Sequence, residues 1–534
     1  MAETLQQLVR ERGEDDRVGV RYGDQSWTWR DHVADASAEA AAVIAAADPD
    51  RPLHVGVLLG NTPDMLRAMA AAALGGYVLV GLNTTRRGDA LLADVRRAHC
   101  QVVLVNGENA ELLDGLDPSS EGADVRVLDV DSAEWQEQVA AAGPLVPHAE
   151  VGAMDTFMMI FTSGTSGEPK AVQVPHIFPI FAGANLVDRF SVTAEDVCYV
   201  SMPLFHSNAV VAGWAVALSS GAAIVPARFS ASRFLDDVRH YGATYVNYVG
   251  RPLAYVLATP EQPDDADNPL RVAFGNEASD KDIEEFARRF GCHVMDGFGS
   301  TESAITVTRV PGTPKGSIGQ GVEGVAIYSS ETVTECPVAE FDEDGRLTNA
   351  DQAVGELVNT QGAGMFQGYY NDQAANDDRM RHGMYWSGDL AYKDADGFVY
   401  LAGRTSDWMR VDGENLAAAP IERIVMRHPA VNRVAVYAVP DENVGDQVMA
   451  AIVLQDDATL SPAELEAFLA EQADLSSKGW PRYVRVAPDL PSTATNKVIK
   501  RELAAQGPVA GDGVLWVREE RGTAYTEASG ASRP

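Results

Sequence analysis

The residues best suited to do chemistry fall in one run of hydroxyls and glycines, Thr162-Ser163-Gly164-Thr165-Ser166-Gly167-Glu168-Pro169-Lys170. It follows an apolar stretch, Thr156-Phe-Met-Met-Ile-Phe161, that reads as a strand. Glycines let backbone N–H groups line a concavity, hydroxyls add donors and Lys170 adds charge; together they form a phosphate cradle. No Gly-Lys-Ser/Thr follows the second glycine, so this is not a Walker loop and a P-loop NTPase is disfavoured. Gly297-Phe298-Gly299-Ser300-Thr301-Glu302 reads alone as a tight turn, and it lacks the third glycine of a dinucleotide fingerprint. Asp389, in Tyr385-Trp-Ser-Gly-Asp389, offers a carboxylate that can accept two hydrogen bonds at once. Arg404 follows a predicted strand, 398–402, and offers a fork of donors that matches oxygens better than lysine does. His206, in Pro203-Leu-Phe-His206, and Lys497, near the chain's end, say little by type alone. A lone histidine is usually structural and a lone terminal lysine usually solvated.

These residues need a scaffold. Short β-branched runs alternate with Ala-rich stretches: 54–60 reads as a strand, 62–74 as a helix, and 77–80 and 101–105 as strands. Segments 222–226, 243–247 and 271–275 continue the pattern, which argues for α/β layers with parallel pairing. Beyond about residue 404 the texture changes. Residues 414–428 read as a helix, 431–437 and 449–454 as strands, and 461–472 as a helix opened by the reciprocal cap Ser461-Pro-Ala-Glu464. The expected architecture is α/β: a large N-terminal domain of layered sheets and helices (1–404), a small mobile α+β domain (405–507) and a flexible, Gly/Ala/Ser-rich tail (508–534).

Composition narrows the partners. The 534 residues exceed what one core usually serves, and 46% apolar with 22% charged residues is ordinary for a soluble protein. With 77 acidic against 42 basic residues the formal charge is −35, so nucleic acid and membrane surfaces are poor partners. Four scattered cysteines suggest neither a disulfide framework nor a zinc site. The N-terminus has no basic segment followed by an apolar stretch, and the run 65–80 contains Arg67, so neither a signal peptide nor a membrane span is expected. A cytoplasmic protein is the expectation.

Taken together, the motifs resemble those of the adenylate-forming superfamily of acyl-CoA synthetases, non-ribosomal adenylation domains and luciferases. The match spans about residues 20 to 505 in the family's order. The 162–170 loop is similar to its phosphate-binding signature, 297–302 to its aromatic-Gly-x-Thr-Glu motif, and 385–389 to its Tyr-x-Thr-Gly-Asp. The resemblance implies ATP/AMP, Mg²⁺ and coenzyme A as cofactors, and a hydrophobic carboxylic acid or its acyl-adenylate as substrate. It further implies that Phe298 packs on adenine, with Gly275, Asn276, Glu277, Asp296, Gly297, Gly299 and Ser300 lining the nucleotide pocket. Thr301 would contact the α-phosphate, and Glu302 with Thr162 would hold Mg²⁺. Asp389 would take the ribose, Arg404 the ribose or phosphate, and His206 would lie beside the acyl carboxylate. Gly413 would leave room for the pantetheine arm, and Lys497 would polarise carboxylate and α-phosphate. Gly183, Ala184, Val210, Ala212, Gly213 and Trp214 fall where relatives form acyl pockets, which suggests a long or bulky acid.

Two positions depart from the pattern. Asn496 stands where the family usually has glycine before its lysine, and Ser406 stands where the hinge residue is commonly Asp or Lys. A misplaced lysine costs rate steeply, so thioester formation is the more secure half of the reaction and a preformed acyl-adenylate is an alternative substrate. A full two-step ligase tolerating both changes stays equally open. An enzyme loading a carrier protein is a further alternative, although with no adjacent carrier domain visible free coenzyme A is the simpler acceptor; a non-catalytic adenylate binder is another, against which Glu302, Asp389, Arg404 and Lys497 argue. Oligomeric state is left open, a homodimer included.

Overall fold

Strands buried on both faces need near-continuous apolar runs, and four short segments meet that demand: His54–Leu58, Val102–Val105, Val197–Val200 and Ala223–Pro226 are buried throughout. The computed structural model describes residues 2–114, 117, 124–163, 169–343, 347–404, 408–411, 414–441, 445–475, 477–493, 498–519 and 522–528. These fall into two units, 1–304 with 363–378, and 305–362 with 379–534.

The first unit holds two sheets. One runs His293–Asp296, Val272–Asn276, Tyr245–Val249, Val197–Val200, Ala223–Pro226, Val18–Tyr22 and Gln25–Thr28, parallel except for its last pair. The other runs Arg126–Asp129, Val102–Val105, His54–Leu58, Val78–Gly81, Thr156–Ser163 and Pro169–Pro175, again parallel except for its final hairpin. A shared core of Val55, Met69, Phe157, Val200, Trp214 and Ile224 lies with helices Trp29–Ala46 and Pro63–Gly75. Thr28 starts the first of these helices through a reciprocal cap with Asp31. Arg289 and Asp265, both nearly buried, pair at 2.6 Å, and the same guanidinium reaches the Thr259 and Pro260 carbonyls. With its donors used, that buried charge pins helix Asp280–Phe290 to the preceding loop.

The second unit has an antiparallel sheet ordered Val307–Thr308, Gly319–Gly321, Phe398–Arg404, Met384–Lys393, Gly355–Asn359 and Val325–Tyr328. A further sheet is built around the long hairpin of Val431–Asp441 and Gly445–Leu454. The third sheet, which sequence grouping puts with 1–404, thus shares a unit with the 405–507 segment.

Most expected elements are present, and the Ser461–Glu464 cap is formed at helix Pro462–Ala470. Two readings are corrected. Glu414–Ala417 is a strand, and the helix begins only at Ala418. Pairing of Leu416 with Met409 draws that segment into the sheet against its helical propensity. The expected tail supplies two strands, Val514–Arg518 and Tyr525–Glu527, which pair in the last sheet and bury Trp516 and Tyr525. Their short apolar alternation is masked by small polar neighbours. Among the described residues no helix is long and apolar enough to cross a membrane. All four cysteines are free thiols.

His176 is a cost within the core. It is 0% exposed, its ring packs 5.5 Å from Phe157, and neither ring nitrogen has a hydrogen-bond partner among the described residues. Burial lowers its pKa to about 4, so the folded protein keeps it neutral. The unfolded chain takes up that proton near pH 6.5, so the stability it permits is present above that pH and drains as pH falls toward 4. Urea unfolding of His176→Phe beside the parent should remove about 3 kcal/mol of the stability lost between these pH values. Equal pH dependence of the two proteins would contradict this.

Candidate functional site

The predicted phosphate loop joins the antiparallel strands Thr156–Ser163 and Pro169–Pro175, with Thr162 opposite Lys170. Gly164, Thr165, Ser166 and Gly167 lie outside the described residues. The hairpin places Thr162, half-buried, at the end of one strand and Lys170, buried, at the start of the next. The Lys170 ammonium sits over the ring of Tyr369, 5.1 Å from its centroid. The hydroxyl of that tyrosine donates to Glu302 Oε1 at 2.9 Å. Lys170 and Glu302, far apart in sequence, are thereby joined on one aromatic side chain.

Glu302 belongs to a loop that leaves the sheet at the carboxyl ends of its parallel strands, the usual place for ligands in α/β layers. Gly275 and Asn276 end one strand and Asp296 the next. A Cβ at Gly275 would fall 2.2 Å from the Tyr248 carbonyl oxygen, so only glycine fits there. Glu277 follows with φ at 66°, a left-handed conformation rare for a residue with a Cβ. It is held there by Asp296, whose carboxylate accepts the N–H groups of Glu277 (2.9 Å) and Ala278 (3.2 Å) and the Tyr248 hydroxyl (3.0 Å). Asp296 thus shapes the turn. Asn276 donates to the Gly297 carbonyl at 2.6 Å and ties the two strand ends together. Phe298 is half-buried, Gly299 exposed and Ser300 half-buried; the Ser303 N–H returns to the Ser300 carbonyl at 3.2 Å.

The segment after strand Val197–Val200 carries further candidates within this unit. His206 packs against Phe205, ring centroids 4.5 Å apart, just before the short helix Ser207–Ala209. Ser207 Oγ lies 2.9 Å from Thr301 Oγ1, linking the histidine segment to the glutamate loop. A row of amides runs alongside: Asn247 donates to Asn208 at 2.7 Å, and Asn208 donates to Asn276 at 3.0 Å. Of the expected acyl-pocket residues, Gly183, Val210, Ala212, Gly213 and Trp214 are buried and Ala184 is half-buried. Four of them lie in a turn of π-helix, Val210–Trp214.

In the second unit Asp389 and Arg404 are direct partners across neighbouring strands, with Arg404 Nε 2.7 Å from Asp389 Oδ1. Asp389 is mostly buried and Arg404 open to solvent. Ser387 Oγ accepts the Asp389 N–H at 3.0 Å, and Glu356 accepts that of Gly388 at 2.6 Å. Lys497, Gly413, Ser406 and Asn496 lie outside the described residues.

Among the described residues no group of three or more His, Cys, Asp or Glu side chains converges on a metal position. Tyr369 engages one oxygen of Glu302, and a carboxylate has a second to offer a metal. Sequence reasoning missed Tyr369, Ser207, Asn208 and Asn247. The only signal for the first was its place in the turn-rich Gln367-Gly-Tyr-Tyr-Asn371.

This fold and site define an adenylate-forming enzyme. The chain matches the family described as AMP-binding enzyme over residues 6–370, and the AMP-binding enzyme C-terminal domain over residues 420–497. It is 51% identical over 519 residues to the medium/long-chain-fatty-acid–CoA ligase FadD17 of Mycobacterium marinum, covering 97% of this chain and 99% of that one. It is 47% identical over 508 residues to the steroid-22-oyl-CoA synthetase of Rhodococcus jostii, covering 94% and 91%. The ATP-bound structure of MatB from Rhodopseudomonas palustris shares the fold with a TM-score of 0.82 at 22% identity, over 95% of this chain and 99% of that one. The o-succinylbenzoate CoA synthetase MenE from Bacillus subtilis, in complex with the acyl-adenylate OSB-AMP, gives 0.76 at 25% identity, over 93% and 97%. The chain belongs to the AMP-binding enzyme family, within its AMP-forming acid–thiol ligases.

Gly275→Ala should report on the strand-end geometry. The added methyl must displace the Tyr248 backbone, for an expected loss of about 1–3 kcal/mol in chemical denaturation. AMP binding by calorimetry should weaken with it, and an unchanged affinity would separate this strand end from the nucleotide.

Proposed function

We propose that the chain joins a hydrophobic carboxylic acid to coenzyme A through an acyl-adenylate, releasing AMP. What carries the reading is that Lys170 and Glu302 meet on Tyr369, beside Thr301 and the His206 segment. The chemical difficulty is to bring a carboxylate to an anionic α-phosphate. Lys170, withdrawn from water, acts on phosphate charge at a lower local dielectric than bulk solvent would allow. The Thr162 and Thr301 hydroxyls supply neutral donors for phosphate oxygens, and His206 orients the acid. Mg²⁺, held by Glu302 and Thr162, would supply countercharge to the phosphates. Asp389 accepts the ribose hydroxyls and Arg404 contacts ribose or phosphate. Phe298 lies against adenine, with Gly275, Asn276, Glu277, Gly297, Gly299 and Ser300 around it and Asp296 holding their turn. Lys497 serves the first half-reaction and Gly413 the second, in which the coenzyme A thiol displaces AMP from an already activated anhydride.

The acid is proposed to be of fatty or steroid-like bulk. The relatives named for medium/long-chain fatty acids and for steroid-22-oyl-CoA support this, as does the run of small and apolar residues over 210–214. Residues 406–422 resemble actinobacterial fatty-acyl-CoA ligases, and within these we propose a kinship with the acyl-CoA ligase of platensimycin and platencin biosynthesis, which would set the reaction in antibiotic biosynthesis. We further infer work in the cytoplasm, with 1–404 as the adenylate-binding domain and 405–507 as its lid.

A second reading rests on Asn496 and Ser406: adenylation is weak and the substrate is a preformed acyl-adenylate. One experiment addresses both. A panel of fatty and polycyclic acids with ATP, and the matching synthetic acyl-adenylates, are each incubated with coenzyme A and the thioester is followed by mass spectrometry. Thioester from acids with ATP supports the two-step ligase. Thioester from the adenylates alone supports the second reading, and none from either would sink both.

A further inference from the structure

We propose that Tyr369 is a positioning residue for the adenylation half-reaction, a spacer that holds a cation and an anion apart so that each is left for the nucleotide. The inference rests on the roles proposed for Lys170 and Glu302. These two side chains carry opposite charges and approach the same tyrosine, the ammonium over the ring face and the carboxylate at the hydroxyl. Among the described residues no ion pair joins them. With Lys170 buried and Glu302 half-buried, a direct pair would neutralise both charges and have to be broken before phosphate or metal could bind. A ring between them avoids that loss. The face attracts the ammonium without consuming an anion, and the hydroxyl orients Glu302 with one neutral hydrogen bond.

A spacer must itself be fixed, and Tyr369 is. It is 2% exposed and packs edge-on against Phe366, centroids 5.1 Å apart. Its N–H donates to Asn376 Oδ1 at 2.6 Å and its carbonyl accepts from Asn376 Nδ2 at 3.0 Å, so one amide clamps both sides of the residue. Its backbone also lies against the strand that Lys170 opens. Val172 bridges to Tyr369, Gln173 N–H donates to the Gly368 carbonyl at 3.1 Å, and Tyr370 N–H donates to the Ala171 carbonyl at 2.8 Å. Ring and lysine therefore share one piece of sheet. Gly368, at φ 95°, makes the turn that brings the tyrosine there.

The test separates hydroxyl from ring. Tyr369→Phe keeps the face under Lys170 and deletes the donor to Glu302; Tyr369→Leu deletes both. ATP binding to the full chain is measured by calorimetry with and without Mg²⁺, and thioester formation from a synthetic acyl-adenylate is followed in parallel. Tyr369→Phe should lower the Mg²⁺-linked gain in ATP affinity by about tenfold, the scale of one lost hydrogen bond to a charged group. Affinity without Mg²⁺ and the thioester step should stay within about twofold, while Tyr369→Leu should weaken ATP binding in both conditions. Glu302→Gln is the control. If it abolishes the Mg²⁺-linked gain and Tyr369→Phe does not change it, the spacer role is wrong and the site reading stands. If Glu302→Gln keeps the gain, the reading of Glu302 falls and the spacer with it. A parallel loss of thioester formation in Tyr369→Phe would show a merely structural tyrosine and overturn the proposal.

Discussion

A buried ammonium held over an aromatic face is the interaction on which the site depends. The protein carries a formal charge of −35, and its family handles a nucleotide carrying several negative charges. The mean field of such a chain repels that ligand, so attraction has to be local and short-ranged. In the role proposed for it, Lys170 meets this requirement because it is taken out of water, where its charge would be screened, and leans on Tyr369. The ring offsets part of the desolvation and leaves the charge unneutralised, which a carboxylate partner would not do.

The other groups are positioned by one property of parallel sheets, the gathering of strand carboxyl ends along one edge. Asn247 in the middle of one strand, Asn276 at the end of the next and Asp296 at the end of a third deliver polar side chains in spatial order, though they are distant in sequence. The two asparagines are joined through Asn208 on the short helix Ser207–Ala209, and Asn276 reaches the Gly297 carbonyl. The register of the two strands fixes the spacing of Asn247 and Asn276 that Asn208 bridges. Asp296 shows the division of labour. Its carboxylate is engaged by two backbone N–H groups and a tyrosine, so it fixes the left-handed Glu277 turn.

The motifs were legible in the sequence because their chemistry is local. A run of glycines and hydroxyls after a strand reads as a phosphate loop wherever the strand lies, and the Thr162–Lys170 pairing agrees with a hairpin around it. The alternating elements of the first unit were legible for the same reason, since burial on both faces writes itself as an apolar run. Tyr369 was not legible. Its role comes from an antiparallel bridge to Val172 and from Glu302, neither of them near it in the chain. Glu414–Ala417 was misread because sheet pairing overrode a helical composition, and the 514–527 strands because the apolar run there, Val514-Leu-Trp-Val517, is only four residues long. In each case the deciding contact was long-range.

The ion pair of Asp389 and Arg404 holds two candidate binding groups together by a different device. The strand register sets the two residues directly opposite each other, so the pair forms with almost no search. An unpaired carboxylate as buried as Asp389 would be costly, and Arg404 removes that cost while staying 44% exposed. Because the arginine is solvated, the pair contributes little net stability and is cheap to rearrange. A ribose that displaced it would replace one charge-assisted hydrogen bond with two hydroxyl donors and release a guanidinium for phosphate. Asp389 is therefore oriented by Arg404 and by the Ser387 hydroxyl, so the proposed ribose contact would use an acceptor already in place. Lys170 and Glu302 need a tyrosine to reach that condition; for Asp389 and Arg404 exposure to water is sufficient.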